Sequence, residues 1–240
     1  MHVTGVDACP AGWVAVTLRK PGGPAEVRAG GSLAVLLADL LAGGGPAVVG
    51  IDMPLGLLEA GWREADRAAR GRLGPRRSSV FAIPPRAVWA EPSYPAANLR
   101  CRELTGQGLS IQAWGLRVKL LEANAYRETC GHPLYEVHPE LAFGAIAGQP
   151  LAHSKHTPAG RELRRELLAR AGIMLPGITL PGITPAGITP AWPPGPAPVT
   201  DMMDAAAVAW SAARIAAGRA VVLPDHPQRD PQGREIAVRY

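Results

Sequence analysis

Four acidic residues stand where a folded chain seldom leaves charge unanswered. Asp7 closes the short apolar run Val3-Thr4-Gly5-Val6, and Asp52 closes Ala47-Val48-Val49-Gly50-Ile51. Asp201 and Asp204 open an alanine-rich segment near the end of the chain. A carboxylate leaving a buried strand is costly unless something cationic meets it. Several brought together repel one another unless a divalent cation sits among them. The pattern therefore points to a hard-metal site on an α/β sheet. A plainer reading stands beside it for each residue. Asp7 and Asp52 are also suited to Asx turns beside Pro10 and Pro54, and Asp201 to an N-cap with Asp204 at the favourable third helical position.

Other residues supply chemistry of the same kind. On a strand, Glu136 and His138 fall on one face, where they offer a further metal ligand or a general acid–base near neutral pH; Glu140 follows closely. Arg63, Arg67 and Arg70 recur at helical spacing and define one face able to grip phosphates, with Arg86 beyond them. Lys155 is a candidate phosphate contact. Trp13, Trp62, Trp89 and Trp114 read as packing residues rather than base-stacking platforms. There is no Walker A sequence, no GxGxxG after a strand and no GxSxG, so a glycine loop cradling nucleotide phosphates has no support.

The elements that must position these residues can be read from periodicity. Residues 2–8 and 13–18 form a hairpin across Pro10-Ala11-Gly12, and 26–29 a weak third strand. A helix over 33–41 starts at Ser32 and stops at Gly43-Gly44-Gly45. Residues 47–51 read as a strand covered on both faces. The order of three strands, a helix and a strand indicates a mixed sheet whose first three strands are antiparallel. Helical spacing continues over 59–73, 94–104, 110–127, 139–147, 160–171 and 200–217. Residues 78–94 carry three prolines and read as extended loop. Residues 134–137 and 221–223 read as strands, and 235–240 as an edge strand.

Composition bounds the rest. With 240 residues, 47% of them hydrophobic, and a formal charge of +5, the chain can bury a core and tolerates a polyanionic partner without demanding one. Three cysteines without CxxC spacing argue against a disulfide framework or zinc knuckle and suit reduced thiols in the cytoplasm. No apolar run reaches the roughly 18 residues of a membrane span, and the opening residues lack the pattern of a secretory leader. The stretch Leu-Pro-Gly-Ile-Thr at 175–179 recurs at 180–184 and, as Pro-Ala-Gly-Ile-Thr, at 185–189. Residues 174–199 are thus expected to be a Pro/Gly-rich repeat loop without catalytic duty, inserted in one domain spanning 1–240.

Several stretches taken together resemble the DUF429 family, predicted nucleases with an RNase H-like fold. They are Gly5-Val6-Asp7-Ala8-Cys9-Pro10-Ala11-Gly12-Trp13-Val14, Ile51-Asp52-Met53-Pro54-Leu55-Gly56-Leu57, and the run Arg63-Glu64-Ala65-Asp66-Arg67-Ala68-Ala69-Arg70. To these are added Ser79-Val80-Phe81, Pro84-Pro85-Arg86, Thr105-Gly106-Gln107-Gly108-Leu109-Ser110-Ile111-Gln112, Glu136-Val137-His138-Pro139-Glu140, Ser154-Lys155 and Asp201-Met202-Met203-Asp204-Ala205. The resemblance spans nearly the whole chain except 174–199. It implies an α/β fold with a five-stranded mixed sheet flanked by helices and a helical and loop insertion in the middle. It implies a site of Asp7, Asp52 and Asp204, with Asp201 one turn earlier on the same helix face, holding Mg²⁺ or Mn²⁺; Glu136, from the separate cluster, is counted with Asp7, Asp52 and Asp204 as a candidate catalytic residue. Arg63, Arg67, Arg70, Arg86 and Lys155 would contact a nucleic-acid substrate. The expected activity is hydrolysis of phosphodiester bonds in DNA or RNA. The alternatives are a non-catalytic binding module on the same fold and a phosphotransferase related by sheet topology to actin-like and sugar-kinase proteins.

Overall fold

The computed structural model describes residues 2–19, 23–42, 44–176 and 197–240. Most of the repeat loop expected over 174–199 therefore lies outside the described residues. In chain order the strands and helices are β1 (Val3–Cys9), β2 (Gly12–Leu18), β3 (Glu26–Gly30), α1 (Leu33–Ala42), β4 (Val48–Ile51), α2 (Glu64–Leu73), α3 (Arg86–Trp89), α4 (Tyr94–Thr105), α5 (Ile111–Gly115), α6 (Arg117–Thr129), β5 (Leu134–Glu136), α7 (Pro139–Ala147), α8 (Pro158–Arg170), α9 (Val199–Ala216), β6 (Val222–Arg229) and β7 (Glu235–Arg239). They form two compact units, one of Met1–Asp52, His132–Ala220 and Tyr240, the other of Met53–Gly131 and Val221–Arg239.

The first unit is built on a five-stranded sheet in the order β3-β2-β1-β4-β5. β1 pairs antiparallel with β2, and β2 with β3. β4 runs parallel to β1, and β5 parallel to β4. The hairpin turns at Pro10 and Ala11. Gly12 follows with φ 140°, a backbone conformation that only glycine takes up at little cost. The mixed sheet expected from the order of elements is the one observed.

Alternation along the strands assigns the two faces. Val14 and Val16 of β2 are buried against Met202, Ala205, Ala206 and Ala209 of α9, in a core that also takes in Phe143 of α7 and Leu167 and Leu168 of α8. α1 packs on β2 and β3 and buries Leu33, Leu36 and Leu37. Each fully buried aliphatic side chain contributes roughly 1.5–3 kcal/mol. Thr4 and Thr17, both buried, satisfy each other with a hydroxyl–hydroxyl hydrogen bond of 2.8 Å.

Two glycines decide how closely α9 can approach. A Cβ on Gly5 would lie 2.1 Å from the Ala209 backbone nitrogen and 2.2 Å from the Ala205 carbonyl oxygen. A Cβ on Gly50 would lie 2.9 Å from Cγ1 of Val208. Gly5 and Gly50 are neighbours in register on β1 and β4. Together they form a slot into which the alanine-rich helix settles backbone against backbone.

In the second unit, α2 begins at Glu64 rather than near residue 59, because Arg63 is extended (φ −70°, ψ 122°). The helix read over 110–127 is two, α5 capped by Ser110 and α6, meeting at Leu116. The stretch 78–94, read as loop, opens on the end of a short 3-10 helix over Gly74–Ser79 and contains the helical turn α3. β6 and β7 pair with each other as a separate two-stranded sheet, in which β7 is an edge strand. Asn124 of α6 ties the start of this unit together: its amide nitrogen donates to the Pro54 carbonyl at 2.9 Å, and its carbonyl oxygen accepts from the Gly56 N–H at 2.7 Å.

Candidate acidic active site

Register brings the first two acids together. Val6 stands beside Ile51 across the parallel β1–β4 pair, and the Asp52 N–H donates to the Val6 carbonyl at 2.8 Å. Asp7 and Asp52 are therefore neighbours at the carboxyl ends of adjacent strands. They lie on the same face as Gly5 and Gly50, the face covered by α9. From Gly5 to Asp7 is two strand residues, about 6.6 Å. One helical turn from Ala209 towards the N-terminus of α9, about 5.4 Å, reaches Ala205 and its neighbour Asp204. The slot that seats α9 thus also sets Asp204 beside the strand acids.

Asp7 and Asp204 are buried, at 7% and 2% exposure, while Asp52 and Asp201 keep partial solvent access. One oxygen of Asp7 accepts the following N–H, that of Ala8, at 2.7 Å. Asp201 lies in the first turn of α9, whose N-cap is Pro198, so it is not itself the cap. Its Oδ1 accepts from the Thr200 hydroxyl at 3.2 Å.

The electrostatics show how crowded this corner is. Burial, then the charges of Asp52 and Asp204, push the Asp7 carboxyl well above the usual range. Burial pushes Asp52 up to about 7, against the opposing pull of Lys155 and with Glu136 and Glu140 adding to the rise. Burial likewise raises Asp204 to about 6, again resisted by Lys155, and raises Asp201. Such shifts in a concentrated group mark candidate functional residues.

The cation that meets these acids is Lys155. Its Nζ donates to Oδ2 of Asp204 at 2.5 Å, and its side chain is 31% exposed. Burial opposes its charge, but Asp204, with Asp7 and Asp52 behind it, holds the ammonium above its ordinary range. The turn carrying Lys155 is well fastened. Thr157 caps α8 by accepting from the Gly160 N–H at 3.0 Å, and its hydroxyl and N–H both donate to the Ser154 carbonyl, at 2.9 and 3.0 Å. Arg164, with no exposed surface, reaches from α8 to the His153 carbonyl at 3.2 Å and to Oε1 of Glu140 at 2.5 Å. Nothing in the charged composition of 160–171 marks Arg164 as buried. Only its spacing with Leu167 and Leu168 on the buried face of α8 hints otherwise.

The donor set fits a hard divalent cation in type: three buried or half-buried carboxyl groups from separate elements gather around the Lys155 ammonium. Yet among the described residues no group of three or more His, Cys, Asp or Glu side chains is arranged to hold a metal ion as it stands. One oxygen of Asp204 is engaged by Lys155 instead.

The remaining candidates are less central. Glu136 is buried and stands in register with Ile51, one position out of step with Asp52. The pleat therefore directs it towards the opposite face, although Asp52 still feels its charge. Glu140 is committed to Arg164, and His138 is the N-cap of α7. The arginines belong to the second unit. Arg63 does not share an exposed face with Arg67 and Arg70. It is 1% exposed, with its guanidinium 3.6 Å from Asp66, because it precedes α2 rather than riding on it. Arg67 is exposed beside Glu64 at 3.0 Å. Arg70 donates to the Val80 carbonyl at 3.1 Å, and Arg86 to Glu128 at 2.9 Å.

Fold and site together define an α/β protein with a buried acidic centre at the carboxyl ends of the parallel strands of a mixed sheet. The chain belongs to the family described as "Protein of unknown function (DUF429)", whose model matches residues 5–229. No curated protein and no solved structure matches it. Among the described residues no helix is long and apolar enough to cross a membrane.

Proposed function

We propose that this protein is a divalent-metal-dependent phosphodiester hydrolase of the RNase H-like kind, acting on DNA or RNA. The observation that carries the reading is the meeting of Asp7, Asp52 and Asp204 from two parallel strands and a helix, with raised proton affinities and a lysine for company. The strand order 3-2-1-4-5, with its first three strands antiparallel, supports the RNase H-like comparison by agreeing with the topology that resemblance implies. Bound Mg²⁺ or Mn²⁺ would lower the pKa of an attacking water and neutralise charge on the leaving oxygen. The chain's own residues set up that chemistry. Asp7, Asp52 and Asp204 present carboxylate oxygens as ligands, with Asp201 one turn earlier on the same helix. The Ala8 N–H fixes the orientation of Asp7. Limited solvent access strengthens every interaction within the corner.

The test is cleavage of single- and double-stranded DNA and RNA with Mg²⁺ or Mn²⁺. Asp7→Asn and Asp52→Asn should each lower the rate by on the order of a hundredfold or more, the scale typical of removing a group that stabilises transition-state charge. Cleavage that persists in both variants sinks the reading. A second reading has one observation in its favour. The Lys155–Asp204 pair is what a binding module would show if a lysine had taken over from a metal. Salt-sensitive nucleic-acid binding without any metal uptake would select it.

A further inference from the structure

The acids of this site suit a divalent cation in type, but among the described residues no three of them are arranged to hold one as they stand, and Asp204 is already engaged by Lys155. We infer that Lys155 is a placeholder cation: it holds Asp204 while the metal is absent, yields it when the metal binds, and is then free to meet the phosphate of the substrate. The inference rests on the proposed metal-dependent reading and adds a role for one residue within it.

Three observations carry it. Asp7, Asp52 and Asp204, brought from two strands and a helix, cluster around the Lys155 ammonium, which is bonded to Asp204. The backbone under Lys155 is held firmly, by the Thr157 bonds to Ser154 and by Arg164 on the His153 carbonyl. Space there is tight, since a Cβ on Gly160 would lie 1.9 Å from the Ser154 carbonyl oxygen. The base of the side chain is thus fixed, while its four-carbon stem is flexible and the tip retains 31% exposure. The ammonium can swing off Asp204 without any movement of the chain. Finally, the contact is a charge-assisted hydrogen bond to Oδ2 of a buried acid, so a metal claiming that oxygen must displace it.

Two measurements test this without substrate. Mn²⁺ binding to the full-length protein is compared in wild type and Lys155→Met by calorimetric titration. The variant should bind on the order of tenfold tighter, since it has no charged hydrogen bond to give up. On wild-type protein, which makes the test independent of how the variant folds, the acylation rate of the Lys155 amine is followed by mass spectrometry with and without Mg²⁺. The metal should raise that rate several-fold. Equal or weaker Mn²⁺ binding by the variant, or a labelling rate indifferent to Mg²⁺, overturns the placeholder role alone. Absence of Mn²⁺ binding in both proteins overturns it together with the metal-dependent reading.

Discussion

At the scale of single residues, the raised proton affinities have a definite consequence for stability. Folding lifts the Asp52 carboxyl from 3.8 to about 7 and Asp204 from 3.8 to about 6, so the native state binds protons that the unfolded chain has released. Stability of the metal-free protein must then fall as pH rises from about 4 to about 7. Urea unfolding with a chelator present should show a lower midpoint at pH 8 than at pH 5, a difference on the order of a few kcal/mol. Asp52→Asn, which removes the charge and keeps the shape, should flatten that dependence. Mn²⁺ should raise the wild-type midpoint at pH 8 and leave Asp52→Asn little changed. Asp7 and Asp52 stood out because acids at the ends of apolar strands are rare, and Asp201 and Asp204 because they open an alanine-rich helix. The partner of Asp204 did not, because Lys155 lies 49 positions away in sequence and nothing local betrays a contact of that range. Arg63 misled for a related reason. Helical spacing predicts which residues share a face, but not where the helix starts.

At the scale of elements, the site depends on the seating of α9. Gly5→Ala places a methyl group against the Ala209 nitrogen and the Ala205 carbonyl, neither of which can yield without the helix lifting. The substitution should cost roughly 1–3 kcal/mol or more and weaken metal binding by displacing Asp204; denaturation and Mn²⁺ titration of the same sample check both. The α7–α8 contact makes a separate prediction. Arg164→Met strands Glu140 as a buried charge and should destabilise by about 3–5 kcal/mol, whereas Arg164→Met with Glu140→Leu should recover much of the loss. Chemical denaturation of both variants decides it. The hairpin, the antiparallel trio and the parallel fourth strand could all be read from turn residues and alternation. The break between α5 and α6 could not, since the apolar spacing runs on through Leu116. Nor could the face of Glu136, which depends on the register of β5 against β4, a property of strand pairing rather than of either strand's own sequence.

At the scale of the molecule, the proposed action on nucleic acid predicts that a chain with formal charge +5 binds it with an affinity falling steeply as salt rises, by roughly 0.7–0.9 in log–log slope for each phosphate neutralised. If Arg67 makes such a contact, Arg67→Ala in an Asp7→Asn background should reduce that slope by about 1; an unchanged slope removes Arg67 from the binding surface. Composition could indicate this much, but not the arrangement in two compact units. The second is assembled from segments on either side of β5 and α7–α9, and no shift in composition marks where they meet. The close fit of α9 into the slot at Gly5 and Gly50 also bears on how the gene can change. The helix is keyed to the sheet by its own backbone, not by the length of chain that leads into it. Tandem copying of the pentapeptide at 175–189 should therefore leave the carboxylates aligned, and replication slippage there should be tolerated.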